Sequence, residues 1–247
     1  MSLFQICYGP EIGSILQTVQ KNPGIARSEL IAKYQYQPEG DISSLMDAAL
    51  IFLMNLHFIK LDELKHIWPL HHSEVKDFHY LQRLKEIAEE SNNPADSNYI
   101  FSTMYYYLFV VPNQLYIKDL HYEANLKFDK LAISQEKVNA WKRMMEYFGL
   151  GYRVYGGFYA LPQLNLMKSV VKEIGPWEGP LQLFFEKKIN SIIPCVHNGS
   201  VFNGMVFAVL NLGNDSILRL SKKQDLPYTS FGEKKEWNWV KIGGEIA

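Results

Sequence analysis

The sequence has little cysteine, no long apolar run and almost no net charge. Its 247 residues include only two cysteines, Cys7 and Cys195. Two cysteines so far apart make neither a disulfide framework nor a four-ligand zinc site. Both are expected as small core residues. No window reaches about 18 uninterrupted apolar residues, so no transmembrane helix is expected. The first residues, "MSLFQICYGPEIG", carry no basic start, long apolar centre or cleavage-type end, and do not read as a secretory signal. A formal net charge of −1 gives no global attraction to nucleic acid or to an anionic membrane, so any such binding needs a local patch. These absences give the expectation of a cytoplasmic chain with no membrane partner. The sequons at Asn198-Gly199-Ser200 and Asn214-Asp215-Ser216 then read as chance matches.

Catalytic signatures are also missing. There is no Gly-x4-Gly-Lys-Ser/Thr loop to cradle phosphates and no Gly-x-Ser-x-Gly nucleophile elbow. His66, His71, His72 and His79 cluster in sequence, but their spacing does not match a helical two-His metal pair with a third ligand. Glu63-x-Lys65 with Asp47 upstream resembles half of an acid-x-lysine nuclease motif, which needs two acids converging on a divalent cation. Asp47 falls on an expected helix and Glu63 in an expected turn, so the bland reading is a charged turn. The expectation is a non-enzyme without metal or cofactor. A nuclease or other hydrolase stands as a third reading.

What is present is apolar and aromatic. Apolar residues make up 47% and aromatics 14%, enough for packed cores rather than a disordered chain. The charge is uneven. Residues 1–100 carry 8 Lys/Arg against 13 Asp/Glu, whereas 101–180 and 181–247 each net +2. Different partners for different parts, or ordinary solvated faces, both fit this.

The stretch "DAALIFLMNLHFIKLDE" (47–63) decides the architecture. Gly9-Pro10 opens a helix with Ile12, Ile15, Leu16 and Val19 on one face, closed by Asn22-Pro23-Gly24. A second short helix, "IARSELIAKYQ", ends at a turn over Pro38-Glu39-Gly40-Asp41. Asp41 or Ser43 can cap a third helix from about Ile42 to Leu56. The pattern then turns strand-like through "HFIKLDE", with Phe58 and Leu61 expected inward, and "HIWPL" follows. This order is that of a winged helix, so the apolar stretch reads as its third helix and first wing strand. An amphipathic helix over about 73–93 and the polar linker "SNNPADSN" (91–98) come next.

A second helix-to-hairpin unit is sharper. A helix is expected to about Val111, stopped at Pro112, with a strand pair as the alternative. Ser134 then caps a helix carrying Val138, Trp141, Met144, Met145 and Phe148, and Gly149 stops it. "YRVY", Gly156-Gly157 and "FYALP" read as a hairpin. In the tail, "PLQLFFEKKINSII" and "VFNGMVFAVLNL" read as helices, and "SILRLS" and "EWNWVKI" as strands around "KKQDLPYTSFGEKK". The expected fold is α-rich α+β, with tandem winged-helix-like modules and short β-hairpin wings. The expected domains are 1–93, 99–175 and 176–247.

Two surfaces carry the functional expectations. The first third helix has no Lys or Arg and one full charge, Asp47, so it is a poor reader of base edges. Lys222, Lys223, Lys234 and Lys235 flank the last wing loop and Arg219 precedes it, a set that can lie along a DNA backbone. Asp225, Glu233 and Glu236 dilute that set, and lysines protecting a solvated edge are the bland reading. Leu53, Tyr105, Tyr106, Trp141, Tyr155 and Phe158 are the candidate protein-interface residues. Tyr105, Tyr106, Tyr107, Phe109, Tyr152, Tyr155, Phe158 and Tyr159 offer stacking on unpaired bases as the alternative to core or interface.

The order of units resembles tandem winged-helix proteins of bacteria. "EKVNAWKRMMEYFGLGYRVYGGFYALP" is similar to a second-module signature of accessory proteins in anti-phage defence islands. These include the G-type component of phosphorothioation-dependent restriction and small middle subunits of systems built on structural-maintenance-of-chromosomes-type ATPases. Trp141, the Gly149-Leu150-Gly151 stop, the hairpin ending at Pro162 and the closing "SILRLSKKQD" carry the resemblance, which covers 10–70 and 134–242 by pattern. It implies an adaptor or scaffold subunit whose larger partner chains supply ATPase and nuclease, with double-stranded DNA touched by the C-terminal wing. The lack of basic residues on the first third helix departs from DNA-reading relatives. The runner-up is a winged-helix transcription regulator that binds duplex by itself.

Overall fold

The computed structural model describes residues 2–35, 37, 40–91, 93–129, 131–214, 217–224 and 226–243. Pro38 and Glu39 of the expected turn, Asn92 of the linker, Asp215 and Ser216 of the second sequon, and Asp225 of the last loop lie outside these residues.

The apolar stride of residues 10–21 gives α1 (Pro10–Lys21), with Pro10 in its first turn and Ile12, Ile15, Leu16 and Val19 buried. Ile25 and Ala26 leave the expected second helix and form a short strand, β1 (Ile25–Ala26), before α2 (Arg27–Tyr34). Asp41 accepts the Ser43 amide at 2.8 Å ahead of α3 (Ser43–Asn55). His57 takes a positive φ of 57° and releases the chain into β2 (Ile59–Leu61) and β3 (His66–Pro69). Phe58 and Ile59 point inward; Leu61, expected inward, is exposed. The three strands pair antiparallel in the order β1-β3-β2. A connecting helix, α4 (Asp77–Glu90), buries Phe78, Leu81, Leu84 and Ile87.

The same order then returns. α5 (Ser97–Tyr105) runs into a π-helical turn, Tyr106–Val110, followed by β4 (Tyr116–Ile117), α6 (Leu120–Lys127), α7 (Gln135–Tyr147), β5 (Tyr152–Val154) and β6 (Gly157–Tyr159). Its sheet order is β4-β6-β5. Ser134 caps α7 through the Lys137 amide, and Gly149 ends it at φ 79°. The hairpin turns at Tyr155-Gly156. Gly157 lies in the strand because a Cβ there would strike the Ile117 carbonyl.

A third round follows: α8 (Leu164–Ile174), β7 (Trp177–Pro180), α9 (Leu181–Phe184) with a π-helical turn Phe185–Ile189, the hairpin β8 (Val196–His197) and β9 (Ser200–Val201), α10 (Asn203–Asn214), β10 (Arg219–Ser221) and β11 (Trp239–Ile242). The sheet order is β10-β11-β7. In each round the first strand pairs with the last, and the middle strand closes the other edge. By this order α8 opens the third round, whereas the sequence reading placed 164–174 in the central module.

The architecture is α-rich α+β, about half helical with small antiparallel sheets. One apolar cluster runs through all three rounds. Phe52 packs against Phe101 and Phe148, Tyr80 stacks on Phe148 at 5.2 Å, and Tyr105 meets Phe202 edge-on. Asn98 links three segments by accepting the Leu3 amide and donating to the Asn55 side-chain carbonyl. Cys7 and Cys195 are free and buried, and burial pushes the Cys7 thiol up to about 12. Among the described residues no helix is long and apolar enough to cross a membrane.

Candidate nucleic-acid interface

The lysine-rich loop of the third round runs from Lys222 to Asn238, and its course is set by side-chain amides and carboxylates. The buried Asn238 side chain donates to the Lys223 carbonyl at 2.9 Å and accepts the Lys223 amide at 2.8 Å, joining the start of the loop to its end. Phe231 and Trp237 bridge a small inner turn, in which Glu236 accepts the Lys234 amide. Phe231 packs edge-on against Phe185, and Gln182 accepts the Thr229 amide, so the loop is folded back on α9.

Arg219, Lys222, Lys223, Lys234 and Lys235 are all exposed. Lys222 and Lys223 lie at the base of the loop, and Lys234 and Lys235 at the tip of the inner turn. Lys223 sits 3.4 Å over the Trp239 ring. Lys241 pairs with Glu178 at 2.8 Å, and that contact with the Trp239 indole holds Glu178 below the usual carboxylate range.

Between α10 and this loop is a groove of about 850 Å³. Arg219 and Lys234 line it with Phe207 and Asn211 of α10, and Glu233 and Glu236 share the loop side. Asn203, Phe207 and Asn211 recur at four-residue steps on the exposed face of α10, which carries no carboxylate among its described side chains. The corresponding helices differ. α3 presents Asp47, held by both nitrogens of a bidentate Arg27 contact at 2.7 and 2.8 Å. α7 presents Glu136 and Asn139, and its Glu146 is bound to Arg153.

The expected protein-interface residues are divided by the structure. Leu53, Tyr105, Trp141 and Phe158 are core and do not face a partner. Trp141 shows why: its indole donates to the Phe101 carbonyl at 2.9 Å, and its ring packs on Phe109 and Phe158. Tyr106 is half-buried and hydrogen-bonded to His197 at 2.7 Å. Tyr155 stands at the tip of the central hairpin, 98% exposed with φ 51°.

The outward aromatic surface lies partly elsewhere. Tyr116, Tyr159 and Tyr152 stand in one row across β4, β6 and β5, with Ile117 and Phe158 buried on the opposite face. Tyr116 had no sequence signal, because β4 has only two residues. Lys142 stands on α7 behind the central hairpin. It is buried and donates to the Tyr155 and Gly156 carbonyls at 3.2 and 3.1 Å, and burial pulls its pKa below the ordinary lysine value.

Of the histidines, His66 contacts Asp62, His79 accepts the Lys76 amide, and His71 packs on Phe58. Among the described residues no group of three His, Cys, Asp or Glu is placed to hold a metal ion. No protein-family model, curated protein or solved structure matches the chain.

Proposed function

We propose that this chain is a non-catalytic adaptor of three fused winged-helix-like units, whose third unit lays its hairpin along the backbone of duplex DNA. The observation that carries the reading is the recurrence of one order, helix-strand-helix-helix-strand-strand with first strand paired to last. Among the described residues, only those of the third unit combine it with an uncharged exposed helix face and a lysine-bearing loop. A wing of that kind neutralises phosphates and sets position, and Asn211 of α10 lies on the groove side where base edges would come. α3 and α7 lack that combination: Asp47 of α3 is tied to Arg27, and Glu136 stands on the exposed face of α7.

Units one and two serve the adaptor role. Their outward side chains include Leu64, Trp68, Tyr116, Tyr152 and Tyr155, residue types enriched where proteins meet. The larger subunit they meet would supply the ATPase and nuclease of an anti-phage complex, a reading that rests on the resemblance of residues 134–162 and the closing hairpin alone. The non-catalytic character rests on the absence of catalytic motifs from the sequence. The regulator reading draws on the same α10 face and differs in needing no partner.

Fluorescence anisotropy of a labelled duplex over a salt series tests the DNA contact. Log affinity should fall linearly with log salt, and Lys222→Glu with Lys234→Glu should reduce the slope by about two. Duplex binding unchanged by this pair would show that the hairpin is not the contact. Pulldown of the tagged chain from nuclease-treated host extract separates the two roles. A large ATPase or nuclease retained at fixed stoichiometry supports the adaptor; a chain that elutes alone and still binds duplex supports the regulator.

A further inference from the structure

A second concavity lies where the three units meet, away from the lysine loop. It has a volume of about 300 Å³ and is walled by α4, by α5 with its π-helical turn, and by the segment 190–196 that follows the other π-helical turn. Leu81, Leu84 and Ala88 form one wall, Tyr106 and Tyr107 another, and Ile193 and Val196 a third. A π-turn widens a helix by one residue and recurs at functional sites. Here one such turn contributes Tyr106 and Tyr107 directly to the wall, and the other ends at Asn190, which also lines the space.

The polar groups of the wall are mostly accounted for. Tyr106 is bonded to His197, Tyr99 and Tyr107 share a 3.3 Å hydroxyl contact, and Thr103 donates to the Tyr99 carbonyl at 2.7 Å. Asn190 accepts the amides of Cys195 and Val196. The two full charges, Lys85 and Glu89, neutralise each other in a 3.0 Å pair. One group is left over. Ser102 lines the cavity, but its Oγ is buried without a hydrogen-bond partner and leaves no surface open to that space. Buried hydroxyls are rarely left unpaired, since each costs about 1–3 kcal/mol in lost solvation.

We infer that this cavity is a binding site for a neutral, largely apolar aromatic small molecule. The volume lies at the lower end for small-molecule sites, and apolar walls with a few placed polar groups are their usual composition. Paired charges at the wall exclude a preference for anions or cations. Tyrosine rings favour an aromatic body, which they meet edge-on or offset. Because α4, the central unit and the third unit each supply a wall, a bound molecule would bridge elements of separate repeats. This inference is independent of the DNA reading.

The probe is N-phenyl-1-naphthylamine, neutral and fluorescent in apolar surroundings, titrated into the full chain. Saturable one-to-one binding is expected. Ala88→Trp, which fills the cavity from α4, should weaken it by about tenfold or more, equivalent to at least about 1.4 kcal/mol. Val196→Trp should do the same from the opposite wall, and circular dichroism reports whether each variant is folded. No saturable binding, or unchanged binding in both folded variants, overturns the site.

Discussion

The hairpins β2–β3 and β10–β11 occupy the same place in the repeated order, yet they present opposite chemistry. The first turns through four residues, Asp62 to Lys65, and exposes Leu61, Leu64 and Trp68. The last takes seventeen residues, from Lys222 to Asn238, and exposes four lysines. Each is pinned by one polar side chain. Asp62 accepts the His66 amide at 2.8 Å and the Trp68 indole at 3.0 Å. Asn238 makes the paired bonds to the Lys223 backbone. The central hairpin is pinned a third way, by Lys142 from the helix behind it. Once one residue holds the turn, the outward positions are free of folding constraints. Partner chemistry can therefore diverge between hairpins without disturbing the shared topology.

The largest expected effect is on duplex binding. Reversing Lys222 and Lys234 to Glu should weaken it on the order of a hundredfold near physiological salt, because phosphate contacts dominate such binding. The matching reversal in the first hairpin, Lys60→Glu with Lys65→Glu, should leave anisotropy titrations unchanged within about twofold. Equal losses from both pairs would mean that the two hairpins share one function and that the contrast between them is decorative.

Asn238→Ala comes next. It leaves the Lys223 carbonyl and amide unpaired beside a buried position, at a cost of about 2 kcal/mol. Thermal unfolding should shift down by roughly 4–8 °C for a chain of this size. Duplex affinity should fall as well, since the lysine pair at the loop base loses its anchor. Loss of stability with affinity intact would mean that the loop need not be held to act.

Legibility in the sequence followed the length of the elements. α1 and α4 carry apolar residues at three- and four-residue steps over three or more turns, and their buried faces are the ones expected. β1 and β4 have two residues each, too few for any period, and so the first strand of the first two repeats was invisible. With it went the pairing that makes the three repeats equivalent. α6 and α8 were passed over, although α8 has a clear apolar face of Leu166, Met167, Val170 and Val171. At the candidate site the lysines were legible because charge at a loop is local information. Burial of Trp141, Phe158, Tyr105 and Leu53 was not, since an aromatic or leucine on an amphipathic element fits core and interface equally well. The Phe207 face and the Ser102 cavity depend on elements distant in sequence and left no local trace.

Lys142→Met should cost about 1–2 kcal/mol, less than Asn238→Ala, because the Tyr155 and Gly156 carbonyls lie at an exposed turn where water can replace the ammonium. The methionine keeps the apolar stem, so the loss reports the bonds rather than the packing. Hydrogen exchange should quicken at the central hairpin and remain unchanged at the other two. Exchange that quickens in all three would mean that the repeats do not hold their turns independently.

The smallest effect concerns the acid that holds the first turn. Bonds from the Trp68 indole, the His66 amide and the His66 ring keep Asp62 below the usual carboxylate range. With the folded pKa depressed, the stabilisation is fully present above the unfolded value of about 3.9 and is lost as pH falls through the lower folded value. The indole resonance of Trp68 should therefore move as pH falls below about 4, as the carboxylate takes up its proton. Trp68→Phe removes the largest of these bonds and should bring the Asp62 titration closer to the ordinary value. No residue in the lysine loop is predicted to respond in that pH range through this contact. The Trp239 indole follows its own partner, Glu178, so Asp62→Asn should abolish the movement of Trp68 and leave that of Trp239 unchanged; loss of both would show that the two hairpins are coupled through the core, against the independence argued from their separate anchors.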